Sequence, residues 1–291
     1  MDLERWEELI TVLQTGSLTA AADRLGYTLS GISRSMAALE KEMGFSLLYR
    51  GKKGVTATEE CEQILPYIRE LLFASQKLRQ KAASVRGGEA GEIAIGTAYR
   101  HYYRWLTEVT GEYHDRYPEV HFRIYNGTST DFARQLEKHQ LDFCLISERE
   151  GEHAWLPICE DKLIALLPVN HPLARLATIP LEKFEQEPYI ATCPGMDIDS
   201  GRFFQKHGIV PNEQFSAMDI QATYAMVDAG MGISITNQIN SLTGFPGICH
   251  REITPTENIT IGWAYGKELS PVAEKFLEFV KDRLPGKSAY H

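Results

Sequence analysis

Residues 17–34 constrain the fold most, because they form the pattern of two short helices separated by a tight turn. Leucine and alanine recur at helical spacing up to Leu25, and Gly26 follows as a stop. Thr28 can then cap a second helix whose apolar face continues to Met43. Two helices joined by a glycine-containing turn are typical of the helix-turn-helix, whose second helix binds in the major groove of DNA.

The distribution of charge along the chain is more informative than its sum. The net charge is −9, but residues 1–58 hold seven Lys/Arg and seven Asp/Glu, while residues 87–291 hold 18 basic and 28 acidic residues. The acidity therefore belongs to the C-terminal two-thirds, and the N-terminal segment is neutral. A neutral segment is compatible with DNA binding, because phosphate contacts need local Lys and Arg rather than a basic total.

Composition argues against a membrane protein, a secreted protein and a metalloprotein. No apolar run approaches the roughly 20 residues that span a bilayer, and the acidic, amphipathic N-terminus is not a secretory signal. We therefore expect a cytoplasmic protein with no membrane partner. The five cysteines stand apart from one another, which argues against a disulfide framework and a zinc site. We expect no metal and no cofactor.

A basic hairpin is predicted shortly after the second helix of the helix-turn-helix. Three helices with apolar faces precede Gly44, and two short strands then flank the turn at 51–54. A hairpin in this place would lay Arg50, Lys52 and Lys53 near the phosphates or the minor groove of bound DNA. The alternative is a solvated basic turn that makes no DNA contact.

Residues 59–86 are predicted to form one long helix with a seam for a partner. Apolar or small residues recur from Cys61 to Val85 at alternating steps of three and four, which is a heptad pattern. Such a seam requires a partner helix, so we expect this segment to dimerise the protein. The alternative is a helix that packs on its own domain. The glycine-rich residues 87–91 are predicted to be a hinge.

Short strands alternate with helices from residue 92 onward, which predicts right-handed βαβ units and a parallel sheet. The predicted strands lie at 93–97, 120–125, 141–146, 163–167, 189–192, 215–219, 233–236 and 259–265, and the predicted helices at 100–117, 130–139, 221–229 and 271–284. The fold class is therefore α plus α/β, with a helical N-terminal segment followed by a larger α/β domain.

Together these features resemble the LysR-type transcriptional regulators over the whole chain. The residues that carry the resemblance are Gly16-Ser17-Leu18, Ala21-Ala22, Arg24-Leu25, Ile32-Ser33-Arg34, Leu39-Glu40, Glu42-Met43-Gly44, Leu47-Leu48-Tyr49-Arg50 and Thr58-Glu59, with 167–174 and 228–234 further on. The resemblance implies a sequence-specific DNA-binding transcriptional regulator, an activator or a repressor, and not an enzyme.

The resemblance also implies how the chain is organised and what it binds. The implied parts are a winged helix-turn-helix domain at 1–58 (helix-turn-helix at about 18–37), a linker helix at 59–86, a hinge at 87–91, and an effector domain of periplasmic-binding-protein type at 92–291. One lobe of that domain would comprise 92–160 and 267–291, and the other 161–266. A small-molecule co-inducer, a carboxylate or an aromatic metabolite, would sit between them. The other implied partners are promoter DNA, RNA polymerase and further copies of the chain in a homotetramer.

The expected DNA contacts lie at the start of the helix-turn-helix, on its second helix and on the hairpin. They are Ser17, Thr28, Leu29, Ser30, Gly31, Ser33 and Arg34, together with Arg50, Lys52 and Lys53. Family members often have Gln where this chain has Leu29, and Pro-Ala where it has Ser30-Gly31. Gln can pair with adenine, whereas Leu offers only apolar contact, and Gly31 can allow a close approach to the DNA backbone. We therefore predict a half-site unlike the commonest one of the family.

Three loops that follow predicted strands are expected to form the effector site, because ligands of such sheets bind at the carboxyl ends of the strands. The candidate residues are Thr97, Tyr99, Arg100, His101, Thr128, Ser129, Cys193 and Met196. Arg100 and His101 could hold a carboxylate or form a solvated helix face. Tyr99 and its aromatic neighbours could bind a flat effector or belong to the core. Cys193 could sense oxidants or be inert.

Two other classes of protein are alternatives to a regulator. A solute-binding protein would have a signal peptide and no need of residues 1–86. An enzyme would be expected to carry a motif such as Gly-x-Ser-x-Gly, a phosphate-binding loop or His-Glu-x-x-His, and the sequence has none of these. Turnover of candidate metabolites, as opposed to stabilisation by them, would distinguish an enzyme from a sensor.

Overall fold

The computed structural model describes residues 2–51, 54–86, 88–240 and 244–285. The chain divides into two compact units, Met1–Gly87 and Gly88–His291. The first unit is mainly helical and the second is mixed α/β, as the periodicity of the sequence predicts.

The first unit begins with three helices that are fixed at both ends by local chemistry. They are α1 (Leu3–Thr15), α2 (Leu18–Leu25) and α3 (Leu29–Met43). Side chains of Asp2, Ser17 and Thr28 accept hydrogen bonds from the first turns of these helices. Gly26 ends α2 with a φ of 72°, a left-handed conformation that favours glycine.

The hairpin of the first unit packs against these helices. Strand β1 (Leu48–Gly51) pairs in antiparallel fashion with β2 (Gly54–Ala57), which confirms the predicted hairpin. A carboxylate oxygen of Glu40, on α3, accepts hydrogen bonds from the Leu47 amide at 2.9 Å and the Leu48 amide at 3.2 Å. Glu40 therefore joins α3 to the base of the hairpin through charge-assisted hydrogen bonds.

Helix α4 (Glu59–Val85) follows the hairpin and runs without interruption for 27 residues. Its first half packs on its own unit, where Cys61, Leu65 and Ile68 are buried. Further along, the seam residues Leu71, Leu78 and Val85 are exposed, and Tyr67, off the seam in the first half, is exposed as well. Packing on its own unit thus accounts for the first half of the seam and leaves apolar side chains of the second half uncovered. Dimerisation through the exposed half remains a prediction.

The second unit is built around an eight-stranded sheet. Its strands are β3 (Gly91–Thr97), β4 (Val120–Asn126), β5 (Phe143–Ser147), β6 (His153–Pro168), β7 (Thr178–Pro180), β10 (Ser234–Asn237), β11 (Ile248–Thr254) and β12 (Asn258–Gly266). The order is β4-β3-β5-β12-β6-β11-β7, and β10 also pairs with β6. Strand β3 is parallel to β4 and β5, as the βαβ pattern predicts.

Strand β6 divides this unit into two lobes because its two halves have different partners. Residues His153 to Lys162 pair with β12, whereas residues Leu163 to Pro168 pair with β10 and β11. Strand β12 also pairs with β5 of the first lobe. The expected end of the second lobe at residue 266 is therefore wrong, since β12 hydrogen-bonds into the sheet of the first lobe. The chain returns to that lobe before Asn258.

Helices cover the sheet of the first lobe, and a smaller parallel pair of strands completes the second lobe. The first-lobe helices are α5 (Tyr103–Arg116), α6 (Ser129–Glu137) and α9 (Pro271–Lys281). The second lobe adds β8 (Tyr189–Thr192), α7 (Asp199–His207), β9 (Glu213–Ala217) and α8 (Ile220–Asp228). The sequence patterns did not predict α7, β7, β11 or the first half of β6. The predicted hinge partly overlaps β3, which begins at Gly91, and Gly87 lies outside the described residues.

Aromatic side chains form the core of the first lobe. Tyr102 and Trp105 are buried against it, and the rings of Trp105 and Trp263 meet edge to face with centroids 5.6 Å apart. Trp263 stacks in turn on Phe143, with centroids 5.1 Å apart. The aromatic residues after β3 were expected either to bind a flat effector or to belong to the core. Tyr102 and Trp105 belong to the core.

Stability between pH 4 and pH 6 should depend on Asp142, which precedes β5 and accepts a 2.8 Å hydrogen bond from the Ala94 amide. Burial raises the pKa of this carboxyl to about 6, from an ordinary value of about 4. The folded chain binds this proton more tightly than the unfolded chain, so the contribution to stability is present below pH 4 and is lost as pH rises through 6. Asp142→Asn should stabilise the chain above pH 6 by on the order of 2 kcal/mol.

Tryptophan fluorescence can follow this unfolding, since Trp105, Trp155 and Trp263 all lie in the second unit. The difference in stability between Asp142→Asn and the unaltered chain should grow from pH 4 to pH 6 and then stay constant. Asp115→Asn, at an exposed carboxyl, is the matched control. A difference that does not vary with pH would contradict the prediction.

Candidate functional site

The exposed face at the start of α3 carries the candidate DNA contacts. Leu29 is 49% exposed, and Ser30 and Arg34 are also exposed, whereas Ser33 is half-buried. The Arg34 guanidinium donates from Nε to the Ser30 carbonyl oxygen at 3.3 Å, which keeps the side chain along this face. The helix therefore presents one apolar, one hydroxyl and one cationic group side by side, a set that can contact base edges and phosphates.

Two of the candidates also serve as helix caps. The Ser17 hydroxyl accepts a hydrogen bond from the Ala20 amide, and the Thr28 hydroxyl accepts one from the Gly31 amide at 3.1 Å. A Cβ added at Gly31 would lie 3.2 Å from the Thr28 hydroxyl oxygen. The Thr28 cap therefore leaves little room for a side chain at position 31. This is a local reason for the glycine, in addition to the expected close approach to DNA.

The hairpin contributes one described candidate. Arg50 is exposed, and its guanidinium lies 3.8 Å from the Glu40 carboxylate in a loose ion pair. Lys52 and Lys53 lie outside the described residues. Their role near the phosphates therefore stays a prediction, together with that of Arg50.

A cavity of about 330 Å³ lies between the lobes of the second unit. From the first lobe it is lined by residues that follow β3, β4 and β5, and from the second lobe by residues that follow β8 and β9 and by the end of β10. These are carboxyl ends of strands, where ligands of such sheets bind. Its walls combine aliphatic and thioether side chains with threonine and asparagine, as small-molecule sites do.

Six of the eight candidate effector contacts line this cavity. They are Tyr99, Arg100, Thr128, Ser129, Cys193 and Met196. Thr97 does not line it, because it is fully buried and its hydroxyl is bonded to the backbone of Tyr99. His101 also lies outside the lining, and its ring meets Tyr102 edge to face. Burial lowers the pKa of His101, which disfavours its use as a cation.

The hydroxyls of Thr128 and Ser129 are both engaged within the first lobe. Thr128 caps α6 by accepting from the Asp131 amide, and its hydroxyl donates to the Asp131 carboxylate at 2.8 Å. The Ser129 hydroxyl accepts from the Ser147 amide at 3.1 Å, and its oxygen lies 3.0 Å from the Ser147 hydroxyl oxygen. Both side chains therefore shape the wall through fixed hydrogen bonds.

A buried carboxylate on the second lobe is the centre of the cleft. Asp199, the first residue of α7, forms an ion pair with Arg149 at 2.8 Å, and their side chains are 10% and 7% exposed. Tyr99 and Ser147 also donate to Asp199, each at 2.7 Å. The Asn237 amide is a fourth donor, at 3.4 Å. Burial and the neighbouring Asp199 raise the pKa of Tyr99 well above its ordinary value, so its hydroxyl remains a donor.

Two further contacts cross the cleft. Arg100, on the first lobe, forms an ion pair with Asp219 on the second, and both side chains are about two-fifths exposed. The Thr130 hydroxyl donates to Asp197 at 3.0 Å. Asp197, Asp199 and Asp219 were absent from the sequence-based site, as was Arg149. An acidic residue at the start of a helix is the sequence signal that could have indicated Asp199. That signal was not recognised because α7 was not predicted.

Cys193 lies at the mouth of the cleft in a left-handed backbone conformation, with φ of 49°. Its Sγ is 3.5 Å from the Met218 carbonyl oxygen. Partial burial and the nearby Asp219 carboxylate raise the pKa of the thiol. A raised pKa lowers the thiolate fraction at neutral pH, and the thiolate is the reactive species.

Among the described residues, no group of three or more His, Cys, Asp or Glu side chains is arranged to hold a metal ion. In the same part of the chain, no helix is long and apolar enough to cross a membrane.

Comparison with protein families matches both units. The family described as "LysR substrate binding domain" matches residues 86–285, and "Bacterial regulatory helix-turn-helix protein, lysR family" matches residues 3–62. The HTH-type transcriptional regulator YvbU of Bacillus subtilis (strain 168) is 26% identical over 288 residues, which cover 97% of this chain and 98% of YvbU.

Two solved structures share the fold and were determined with a bound partner. Full-length CbnR complexed with its target DNA matches with a TM-score of 0.62 and 21% identity, over 97% of this chain and 99% of CbnR. The effector binding domain of QuiR in complex with shikimate matches with a TM-score of 0.57 and 21% identity, over 67% of this chain and 98% of that domain.

Leu29→Gln should change the half-site that the chain selects from random DNA. Leu29 is half-exposed at the first position of α3, so the change should alter unfolding free energy by less than about 0.5 kcal/mol. Gln can donate to and accept from one adenine, a pairing worth about 1–3 kcal/mol of discrimination. We expect a new adenine preference at one position of each half-site. Leu29→Met is the control, and identical selected sequences for all three proteins would count against a base contact at this residue.

Cys193→Ser should leave any response of DNA binding to peroxide unchanged, because the raised thiol pKa leaves little thiolate at neutral pH. The measurement is operator binding before and after peroxide treatment. Cys144→Ser, at a fully buried thiol, serves as the control for a structural change. A peroxide response that disappears only in Cys193→Ser would identify Cys193 as a sensor.

Proposed function

We propose that this chain, which belongs to the LysR family of transcriptional regulators, binds promoter DNA under the control of a small molecule held between its two lobes. The observation that carries the proposal is the presence in one chain of an exposed α3 face and a cavity of about 330 Å³ between the lobes. We assign DNA binding to residues 1–58, subunit pairing to the helix at 59–86 and effector sensing to residues 92–291.

DNA binding would rest on the first turns of α3. Leu29, Ser30 and Arg34 are exposed there, and Arg50 is exposed on the hairpin. CbnR, which has the same fold, was solved with its target DNA, and this likeness supports the same use of α3 here. Because the target is promoter DNA, we place the protein in the cytoplasm, with RNA polymerase as the partner whose access or recruitment it changes.

Effector control would act through the contacts that cross the cleft. Arg149 and Asp199, Arg100 and Asp219, and Thr130 and Asp197 each join the two lobes. A ligand in the cavity that strengthens or replaces these contacts binds one arrangement of the lobes more tightly than another. Only such a difference in affinity can shift the population of the arrangements. QuiR, solved with shikimate, supports a small organic molecule as the ligand class.

Subunit pairing would use the exposed apolar row on α4. Leu71, Leu78 and Val85 follow one another at intervals of seven residues, and Leu78 and Val85 are 72% and 79% exposed. Side chains of this size are covered when two such helices pair along a heptad seam. A pair of helices makes a dimer, and we propose that further contacts between effector domains complete a homotetramer.

The direct test is operator binding with and without candidate effectors. Sequences selected by the full chain from random DNA should contain a two-fold symmetric site, which Arg34→Ala should bind at least about tenfold more weakly than the unaltered protein. Arg116→Ala, at an exposed arginine of the second unit, is the control. Metabolites that stabilise the protein should shift its affinity for this site without being converted. Turnover of such a metabolite, or no selected sequence, would overturn the proposal.

A further inference from the structure

We propose that Asp199 is a built-in carboxylate that occupies the anion subsite of the cleft, so that the effector of this chain is a molecule of zero net charge. The inference rests on the proposed function only in calling the ligand of the cavity an effector. Three observations support an occupied anion subsite: the location of Asp199, its four hydrogen-bond donors and the charge balance of the cavity lining.

The donors around Asp199 form the set that would bind a free carboxylate. One oxygen accepts from Ser147 and Arg149, and the other accepts from Tyr99 and Asn237. A guanidinium, two hydroxyls and an amide thus converge on the two oxygens of one group, which is how proteins hold a bound carboxylate. The second lobe supplies that group from its own α7.

The side chains of this site are buried, which distinguishes it from an ion pair on the surface. Arg149 is 7% exposed and Asp199 is 10% exposed. Tyr99 and Ser147 are more deeply buried still, and Tyr99, Arg149, Asp199 and Asn237 all line the cavity. The subsite therefore opens into the space that an effector would fill, and it is already occupied.

An anionic ligand would find no unpaired cation in the described lining. The described residues of that lining include two cations, Arg100 and Arg149, and two carboxylates, Asp199 and Asp219, and each cation is paired with one carboxylate. To reach Arg149, a carboxylate ligand would have to displace Asp199 and leave it buried without its donors. That exchange lowers the affinity of the ligand by about a hundredfold to a thousandfold.

An uncharged or zwitterionic ligand avoids this penalty. It can use the aliphatic and amide groups of the wall while the Asp199 cluster stays intact. A zwitterion can also insert between Arg100 and Asp219, whose pair is far more exposed and therefore more easily opened. Zero net charge is thus the ligand chemistry that fits both ion pairs.

Chemical rescue tests the subsite directly. Asp199→Ala removes one carboxylate group, and formate has the shape and charge of the group removed. Asp199→Ala should melt roughly 10 °C below the unaltered protein, because it leaves the Arg149 guanidinium buried without a counter-ion. Formate should restore part of this loss in a saturable way, with a Kd no tighter than about 1 mM for three non-hydrogen atoms.

Three controls make the rescue specific. Formamide, which has the same shape without the charge, should not rescue Asp199→Ala, and chloride at equal ionic strength should not rescue it either. Asp197→Ala, which removes an exposed carboxylate next to the same helix, should not respond to formate. Equal effects of formate on Asp199→Ala and on the unaltered protein would overturn the proposal, as would rescue by chloride.

The isosteric Asp199→Asn keeps the proposal testable if the alanine variant does not fold. Benzoate and shikimate should stabilise Asp199→Asn more than they stabilise the unaltered protein, whereas benzamide should make no distinction. Strong stabilisation of the unaltered protein by benzoate or shikimate would contradict a filled anion subsite. None of these measurements uses DNA. Failure to find an operator would therefore contradict the proposed function without affecting the proposal of a filled anion subsite.

Discussion

The organisation of the second unit depends on the hydrogen-bonding of one strand. Strand β6 is 16 residues long, and it pairs with β12 in one lobe and with β10 and β11 in the other. Both lobes are therefore fastened to a single extended backbone. The cleft opens between them, and the residues that line it lie mainly at and after the carboxyl ends of strands from both lobes.

Side-chain chemistry closes the cleft that the backbone defines. The buried Arg149–Asp199 pair lies at its centre, and the more exposed Arg100–Asp219 pair lies nearer solvent. Desolvation strengthens the attraction in the first pair and raises the cost of breaking it, whereas water screens the second. A ligand can therefore displace a partner of the outer Arg100–Asp219 pair more easily than a partner of the inner Arg149–Asp199 pair.

Local sequence patterns predicted the helix-turn-helix, the hairpin and most strands of the sheet, because capping residues, glycine stops and alternation act over a few neighbours. The exposed start of α3 and the loop after β3 were located for the same reason. Asp199 and Arg149 were not predicted, since they lie 50 residues apart and meet only when the lobes face each other. Strand β12 was assigned to the wrong lobe because hydrogen-bond partners, not composition, decide which sheet a strand joins.

The carboxylate of Glu40 has a consequence for the geometry of DNA recognition. By accepting from the amides of Leu47 and Leu48, it fixes the angle between α3 and the hairpin inside the fold. The first unit therefore presents α3 and the hairpin to DNA as one preshaped surface. In the proposed homotetramer, any adjustment needed to seat several such surfaces on one promoter would fall to the curvature of the DNA and to the spacing between subunits.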